Sequence, residues 1–220
     1  MNQQIIHVYL MPGMAANPSI FENIRLSSEQ FEIHWLEWMI PFPKETLQEY
    51  AKRMSEKVVH DDAVLLGVSF GGILVQEMSA FLNLRKLIIA SSVKTRYELP
   101  RRMKIARITG MYKLAPTRLA QNVDALAKYT FGKTVKRRVE LYKKYLSVND
   151  KSYLDWALEQ VVCWEREIPD DEVIHIHGEK DMVFPIRYID NCITVKNGTH
   201  IMIINKYKWF NENLPKLILS

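Results

Sequence analysis

Ala63-Val64-Leu65-Leu66-Gly67-Val68-Ser69-Phe70-Gly71-Gly72-Ile73-Leu74-Val75 is the stretch that decides how this chain reads. An apolar run of strand length, Ala63 to Val68, meets an apolar-faced segment, Gly71 to Leu82, with a single serine at the junction. Gly67-Val68-Ser69-Phe70-Gly71 has the form G-x-S-x-G, a strand, a sharp turn and a helix, with glycines where a Cβ would obstruct the bend. Such an elbow lifts the serine side chain off the strand end. The free N–H groups and positive end of the following helix then face negative charge developing beside Ser69. The N–H of Phe70, directly after the serine, is one donor of an oxyanion hole in an elbow of this kind. The pattern predicts acyl-transfer chemistry at Ser69.

Working outward, Ile5 to Met11 read as a buried strand that feeds the turn-rich Pro12-Gly13-Met14-Ala15, and Phe31 to Leu36 as a second strand. Thr46 and Glu49 form a capping box, and Leu47, Tyr50, Ala51, Met54 and Val58 recur at helical spacing, which predicts a helix over Thr46 to Val59. Lys86 to Ser91 follow the elbow helix as a strand. Val173 to His177 are a further strand, continued by Gly178-Glu179-Lys180-Asp181 with Pro185 closing the loop. Ile193 to Val195 are the last, and Asn197-Gly198-Thr199 lead from it to His200 before a helix-like apolar segment. Alternating β and α units predict an α/β fold with a mostly parallel sheet covered by helices on both faces. Ser69, Asp181 and His200 each fall just past the end of a different strand.

That chain order, Ser then Asp then His, together with Gly67 to Gly72, the Gly178-x-x-Asp181-x-x-x-Pro185 loop and the Gly198-x-His200 loop, resembles the α/β-hydrolase superfamily. The resemblance implies an α/β-hydrolase fold, a catalytic triad of Ser69, Asp181 and His200, and a second oxyanion donor from the loop after the first strand. The family usually has His-Gly there. This chain has Pro12-Gly13, so Met14 aligns with the residue whose main-chain N–H donates. The family's opening antiparallel hairpin is missing, which leaves about six parallel strands in the order 2-1-3-4-5-6 and an open sheet end that offers a homodimer surface.

Residues 96–167 differ in character, being helical in pattern without convincing strands. Pro116 starts one helix with Leu119, Val123 and Leu126 inward; Val135, Val139, Tyr142 and Leu146 mark a second; a third runs from about Ser152 to Trp164. In the superfamily an insertion at this place is a helical cap over the active site, so the expected organisation is a core of residues 1–95 and 168–220 with a cap of residues 96–167. The insertion carries sixteen Lys or Arg against eight Asp or Glu, a net +8 in a chain of net +5. Such charge suits an anionic substrate, an acyl carrier or a membrane surface, or is simply a solvated helix face, as Lys136, Arg137, Arg138, Lys143 and Lys144 suggest. Met103, Met111, Tyr112, Tyr129, Phe131, Trp156 and Trp164 supply chiefly packing there, and some of them are expected to face the cleft as part of an apolar acyl pocket. Met14, Trp38, Phe70 and Phe184, near the catalytic loops and strand ends, are candidates to line an apolar acyl pocket.

At 220 residues, 48% hydrophobic and 25% charged, the chain fits one compact domain with a sizeable core. Its longest near-continuous apolar stretch, Ala63 to Val75, contains Ser69 and is too short to span a bilayer. No basic cluster opens the chain, and Pro12 and Gly13 interrupt the apolar run from Ile5, so a cytoplasmic protein is expected. Cys163 and Cys192 lack metal or disulfide spacing and read as buried free thiols. His175 and His177 share a strand face, but no H-E-x-x-H pattern or cysteine pair accompanies them, so no metal and no other cofactor is expected. Gly67-x-x-x-Gly71-Gly72 is neither G-x-G-x-x-G nor a P-loop, and no nucleic-acid-binding motif accompanies the basic charge.

The expected function is a serine hydrolase acting on a small-molecule carboxylic ester, a thioester or an amide. The alternative is a ligand-binding or receptor-like protein of the same fold with little turnover. Ser92 to Arg96, after the fourth strand, contains no carboxylate and so no rival to Asp181.

Overall fold

The alternating pattern folds as six parallel strands in the order β2-β1-β3-β4-β5-β6. A computed structural model describes residues 4–114 and 144–220. The expected helices at Pro116 and around Val135, Val139 and Tyr142, with Tyr129, Phe131, Lys136, Arg137, Arg138 and Lys143, lie outside the described residues. The strands are β1 (Ile6–Met11), β2 (Phe31–Trp35), β3 (Ala63–Val68), β4 (Leu84–Ala90), β5 (Ile174–Gly178) and β6 (Ile193–Val195). The helices are α1 (Leu47–Ser55), α2 (Phe70–Met78), α3 (Arg101–Thr109), α4 (Lys151–Cys163), α5 (Met202–Asn205) and α6 (Tyr207–Leu219), with short 3-10 turns between them.

Strand side chains point alternately to opposite faces, and the two cores follow from that period. Val8, Leu10, Val64, Leu66, Val68, Ile88 and Ala90 pack with Phe21, Met202, Phe210 and Leu214 beneath α5 and α6. Tyr9, Met11, Leu65, Leu87 and Ile89 pack with α1, α2 and α4 on the other face. Every residue of β3 is buried, as is every residue of α2. That explains why the elbow sequence is apolar all round rather than on one stripe.

The capping box forms as expected: Thr46 Oγ1 accepts from Glu49 N–H, and a Glu49 carboxylate oxygen accepts from Thr46 N–H at 2.9 Å. α1 stops at Ser55, short of the expected Val59, because the Lys57 and Val58 amides turn back to the Met54 and Ser55 carbonyls. α3 had no counterpart in the sequence reading. None of its residues is buried, so it carries no apolar stripe, yet Pro100 before it and Gly110 after it, at φ 70°, are end signals that mark it. Cys163 and Cys192 are free but only partly buried. Among the described residues no helix is long and apolar enough to cross a membrane.

Candidate active site

The strand order runs from β1 outward to β2 and then returns to β3 on the other side of β1, and in open α/β sheets such a reversal is where the loops leaving the carboxyl ends of the strands diverge. Met11 pairs with Gly67 at this point, so the loop after β1 and the elbow after β3 emerge side by side. Ser69 takes φ 54°, ψ −121°, a conformation costly for a residue with a Cβ. The bend brings backbones into contact: a Cβ on Gly67 would stand 2.3 Å from the Gly71 carbonyl oxygen, and one on Gly71 2.3 Å from that of Pro12. Both positions admit only glycine. Ser69 N–H donates to Ala90 O at 2.9 Å, and the Ser92 hydroxyl donates to Ser69 O at 2.7 Å, fixing the strained turn from β4.

The loops after β5 and β6 are joined in the same way. Lys180 N–H donates to Gly198 O at 2.7 Å and Glu179 N–H to Val195 O at 3.1 Å, which holds Asp181 and His200 in one unit. Asp181 Oδ1 accepts from the amides of Val183 and Phe184 at 2.8 and 2.9 Å, and its other oxygen, Oδ2, lies 2.9 Å from His200 Nδ1. An ionised carboxylate can only accept, so Nδ1 carries the proton and Nε2 of the neutral ring offers a lone pair. That Nε2 stands 3.0 Å from Ser69 Oγ. The three residues singled out from the sequence thus form one hydrogen-bonded chain. Asp181 is fully buried, while the His200 side chain is 23% exposed.

Behind the acid lies a pair of imidazoles, His175 and His177 of β5, which join in hydrogen bonds rather than standing free as ligands. His177 Nε2 is 2.8 Å from Phe184 O, and a carbonyl can only accept, so this nitrogen carries the proton. His175 Nε2, 3.0 Å from His177 Nδ1, donates in turn. Phe184 is also the residue whose amide binds Asp181, so His177 anchors the acid loop from below. Burial, reinforced by His177 and Lys94, pushes His175 down to about 3. Burial lowers His177 as well.

The loop after β1 is pinned by residues far away in the chain. Gly13 O accepts from the Trp38 indole N–H at 2.8 Å, Ala15 N–H donates to the Tyr153 hydroxyl at 3.4 Å, and Val148 N–H donates to Ala15 O at 3.0 Å. A Cβ on Gly13 would lie 3.3 Å from Ser69 Cβ, which sets this loop directly against the serine. Met14 and Trp38 are partly exposed there, whereas Phe70 and Phe184 are buried, at 1% and 2%. The Phe70 ring stacks on Trp38 at 4.9 Å, and Phe184 packs edge-on to the His200 ring at 5.6 Å. These two phenylalanines therefore support the site more than they line it. Tyr153 escaped sequence reasoning, since nothing local to α4 signals a contact with a loop near the start of the chain. From α3, Arg102 donates to the carbonyls of Met182 and Val183, each at 2.8 Å, on the acid loop.

No protein-family model matches the chain, and no curated protein matches it in sequence. Solved structures match it in shape. A bromoperoxidase from Bacillus anthracis aligns at a TM-score of 0.66 and 16% identity over 100% of this chain and 94% of that one. A hydrolase from Pseudomonas aeruginosa aligns at 0.67 and 15% identity, covering 98% and 91%. An esterase from Exiguobacterium antarcticum aligns at 0.63 and 18% identity, covering 100% and 94%. With its strand order, its strained serine turn and this end-to-end likeness, the chain has the α/β-hydrolase fold.

Proposed function

We propose that the chain is a serine hydrolase that cleaves a carboxylic ester through an acyl-enzyme on Ser69, with thioesters and amides as variants of the same route. The observation that carries the reading is the hydrogen-bonded chain from Ser69 Oγ to His200 Nε2 at 3.0 Å and from His200 Nδ1 to Asp181 at 2.9 Å. A likeness in fold to an esterase and a hydrolase supports it. Ser69 is unreactive at its own pKa, so His200 takes the hydroxyl proton as Oγ bonds to the carbonyl carbon. The carbonyl electron pair moves onto oxygen, where the main-chain N–H groups of Met14 and Phe70 receive it. Asp181 holds the imidazole in its tautomer and stabilises the imidazolium without taking the proton. His200 passes that proton to the leaving oxygen, and a water activated by the same ring releases the acid. No step of this route calls for a cofactor.

In this reading residues 96–167 cap a core of residues 1–95 and 168–220, Met14 and Trp38 border the acyl pocket, and the net +8 of the cap favours an anionic ester. Incubation with a fluorophosphonate, followed by mass measurement of the Ser69 peptide, tests it. The wild type should be labelled, and Ser69→Ala should not. Ser69→Ala and His200→Ala should each lower ester turnover by about 10⁴-fold or more while unfolding cooperatively. A wild type that takes no label yet retains a ligand without acylation would favour the receptor-like alternative.

A further inference from the structure

His7, His34 and His60 come from three separate parts of the chain, with no metal-binding spacing among them, yet each offers a ring nitrogen within 4.8 Å of the others. β1 and β2 pair His7 with Glu32 and Tyr9 with His34, so these four side chains share one sheet face. The loop before β3 brings His60 beside them, stacked on His7 with ring centroids 3.5 Å and planes 6° apart, so a shared ion requires one of these two rings to turn out of the stack, because a metal lies in the plane of each imidazole that binds it. His7 Nδ1 and His34 Nε2 stand 3.0 Å apart. Two histidine ligands on one tetrahedral Zn²⁺, with Zn–N near 2.0–2.1 Å, sit at about 3.3 Å from each other. The Glu32 carboxylate faces the same two nitrogens, with its oxygens 3.6 Å from His7 Nδ1 and 3.9 Å from His34 Nε2. His60 Nδ1 stands 2.6 Å from the Tyr9 hydroxyl oxygen, which also accepts from Val59 N–H at 3.2 Å; with Nδ1–H donating to that oxygen, Nε2 keeps its lone pair for a metal. A hydrogen bond on one ring nitrogen that fixes the other as the free one is how outer contacts orient a ligating histidine.

We propose that His7, His34 and His60, with Glu32 as fourth ligand, bind a divalent transition-metal ion of the Zn²⁺ class. Imidazole and carboxylate are its ligand types, whereas a set dominated by nitrogen is poor for Mg²⁺ or Ca²⁺. His7 lies near the start of β1 and Ser69 past the end of β3, so the ion sits at the opposite end of the sheet from the triad. It joins the edge strand β2, strand β1 and the loop into β3, and so acts on the fold rather than on the reaction.

Protein stripped with a chelator and titrated with Zn²⁺ by calorimetry should bind one ion per chain. Co²⁺ in its place should give the visible absorption of a four-coordinate nitrogen and oxygen site. Zn²⁺ should raise the melting temperature of the wild type. In His34→Gln and His60→Gln, affinity should fall at least tenfold and the rise in melting temperature should vanish. Glu32→Gln, at a side chain 59% exposed, keeps the test open if a histidine variant does not fold, and it too should weaken binding. Absence of one-to-one binding, or affinity unchanged in any folded variant, overturns the assignment.

Discussion

Trp38 makes contacts of two kinds, ring packing and a hydrogen bond, and phenylalanine could keep only the first. Its ring stacks on Phe70 at 4.9 Å and 6°, and its N–H holds the Gly13 carbonyl at 2.8 Å, beside the proposed oxyanion donor Met14. Trp38→Phe retains the stack and releases the loop. Losing an oxyanion donor outright costs about 10²- to 10³-fold in kcat, and here the loop stays tethered through Tyr153 and Val148, so a loss of about tenfold in kcat with little change in KM is expected. Gly13 O still accepts from Ala16 N–H at 3.0 Å, so urea unfolding should shift by only about 1 kcal/mol. Steady-state kinetics on a chromogenic ester would count against the role if kcat stayed at the wild-type value. Single residues also show what was readable in advance. Ser69, Asp181 and His200 each sit in a short pattern whose chemistry is local, so each could be named from the sequence. Trp38 could be named only as a wall, and Tyr153 not at all, because their work depends on contacts that only the folded chain creates.

Among the elements, β5 supports the acid loop through two buried imidazoles. His175 falls from the ordinary value of 6.5 to about 3 because burial disfavours its charged form, and His177 shifts in the same direction. The unfolded chain therefore binds protons at these positions that the folded chain refuses. Their stabilising contribution is complete above about pH 6.5 and is lost progressively as the pH falls toward 3, since stability rises with pH wherever the unfolded state holds more protons. His175→Gln keeps an amide donor for His177 and removes this titration. Its urea midpoint should change less between pH 7 and pH 4.5 than that of the wild type, and equal slopes would remove His175 from the account. The six strands and α1 were legible because short apolar runs bounded by turn residues, and a capping box, leave their marks on the sequence itself. α3 was not, because a helix without a buried face has no periodicity to read, and only Pro100 and Gly110 betray its ends.

At the scale of the whole molecule, α4 ties the stretch before residue 167 to the sheet. α4 lies inside the expected cap, yet Tyr153, Trp156, Ala157 and Val161 belong to the same apolar core as α1 and α2. Trp156 packs against Tyr50 at 4.5 Å and Phe70 at 5.8 Å, and its N–H reaches the Glu45 carbonyl at 2.7 Å. Farther along, the Trp164 N–H and Arg166 meet the mostly buried Glu77 of α2 at 3.0 and 3.2 Å. A helix bound this way cannot swing away without exposing core aromatics and stranding Glu77, so α4 and the sheet should unfold as one unit. Truncating a buried tryptophan typically costs about 3–5 kcal/mol, and Trp156→Ala should lose that amount in a single transition. Near-ultraviolet dichroism, to which Trp38, Trp156 and Trp164 contribute together with Trp35 and Trp209, and far-ultraviolet dichroism, which reports the sheet and helices, should give superimposable urea curves in wild type and variant alike. Separate midpoints, with the tryptophan signal lost first, would mean that α4 detaches from a sheet still folded and that the loop after β1 loses its Tyr153 tether before the core gives way.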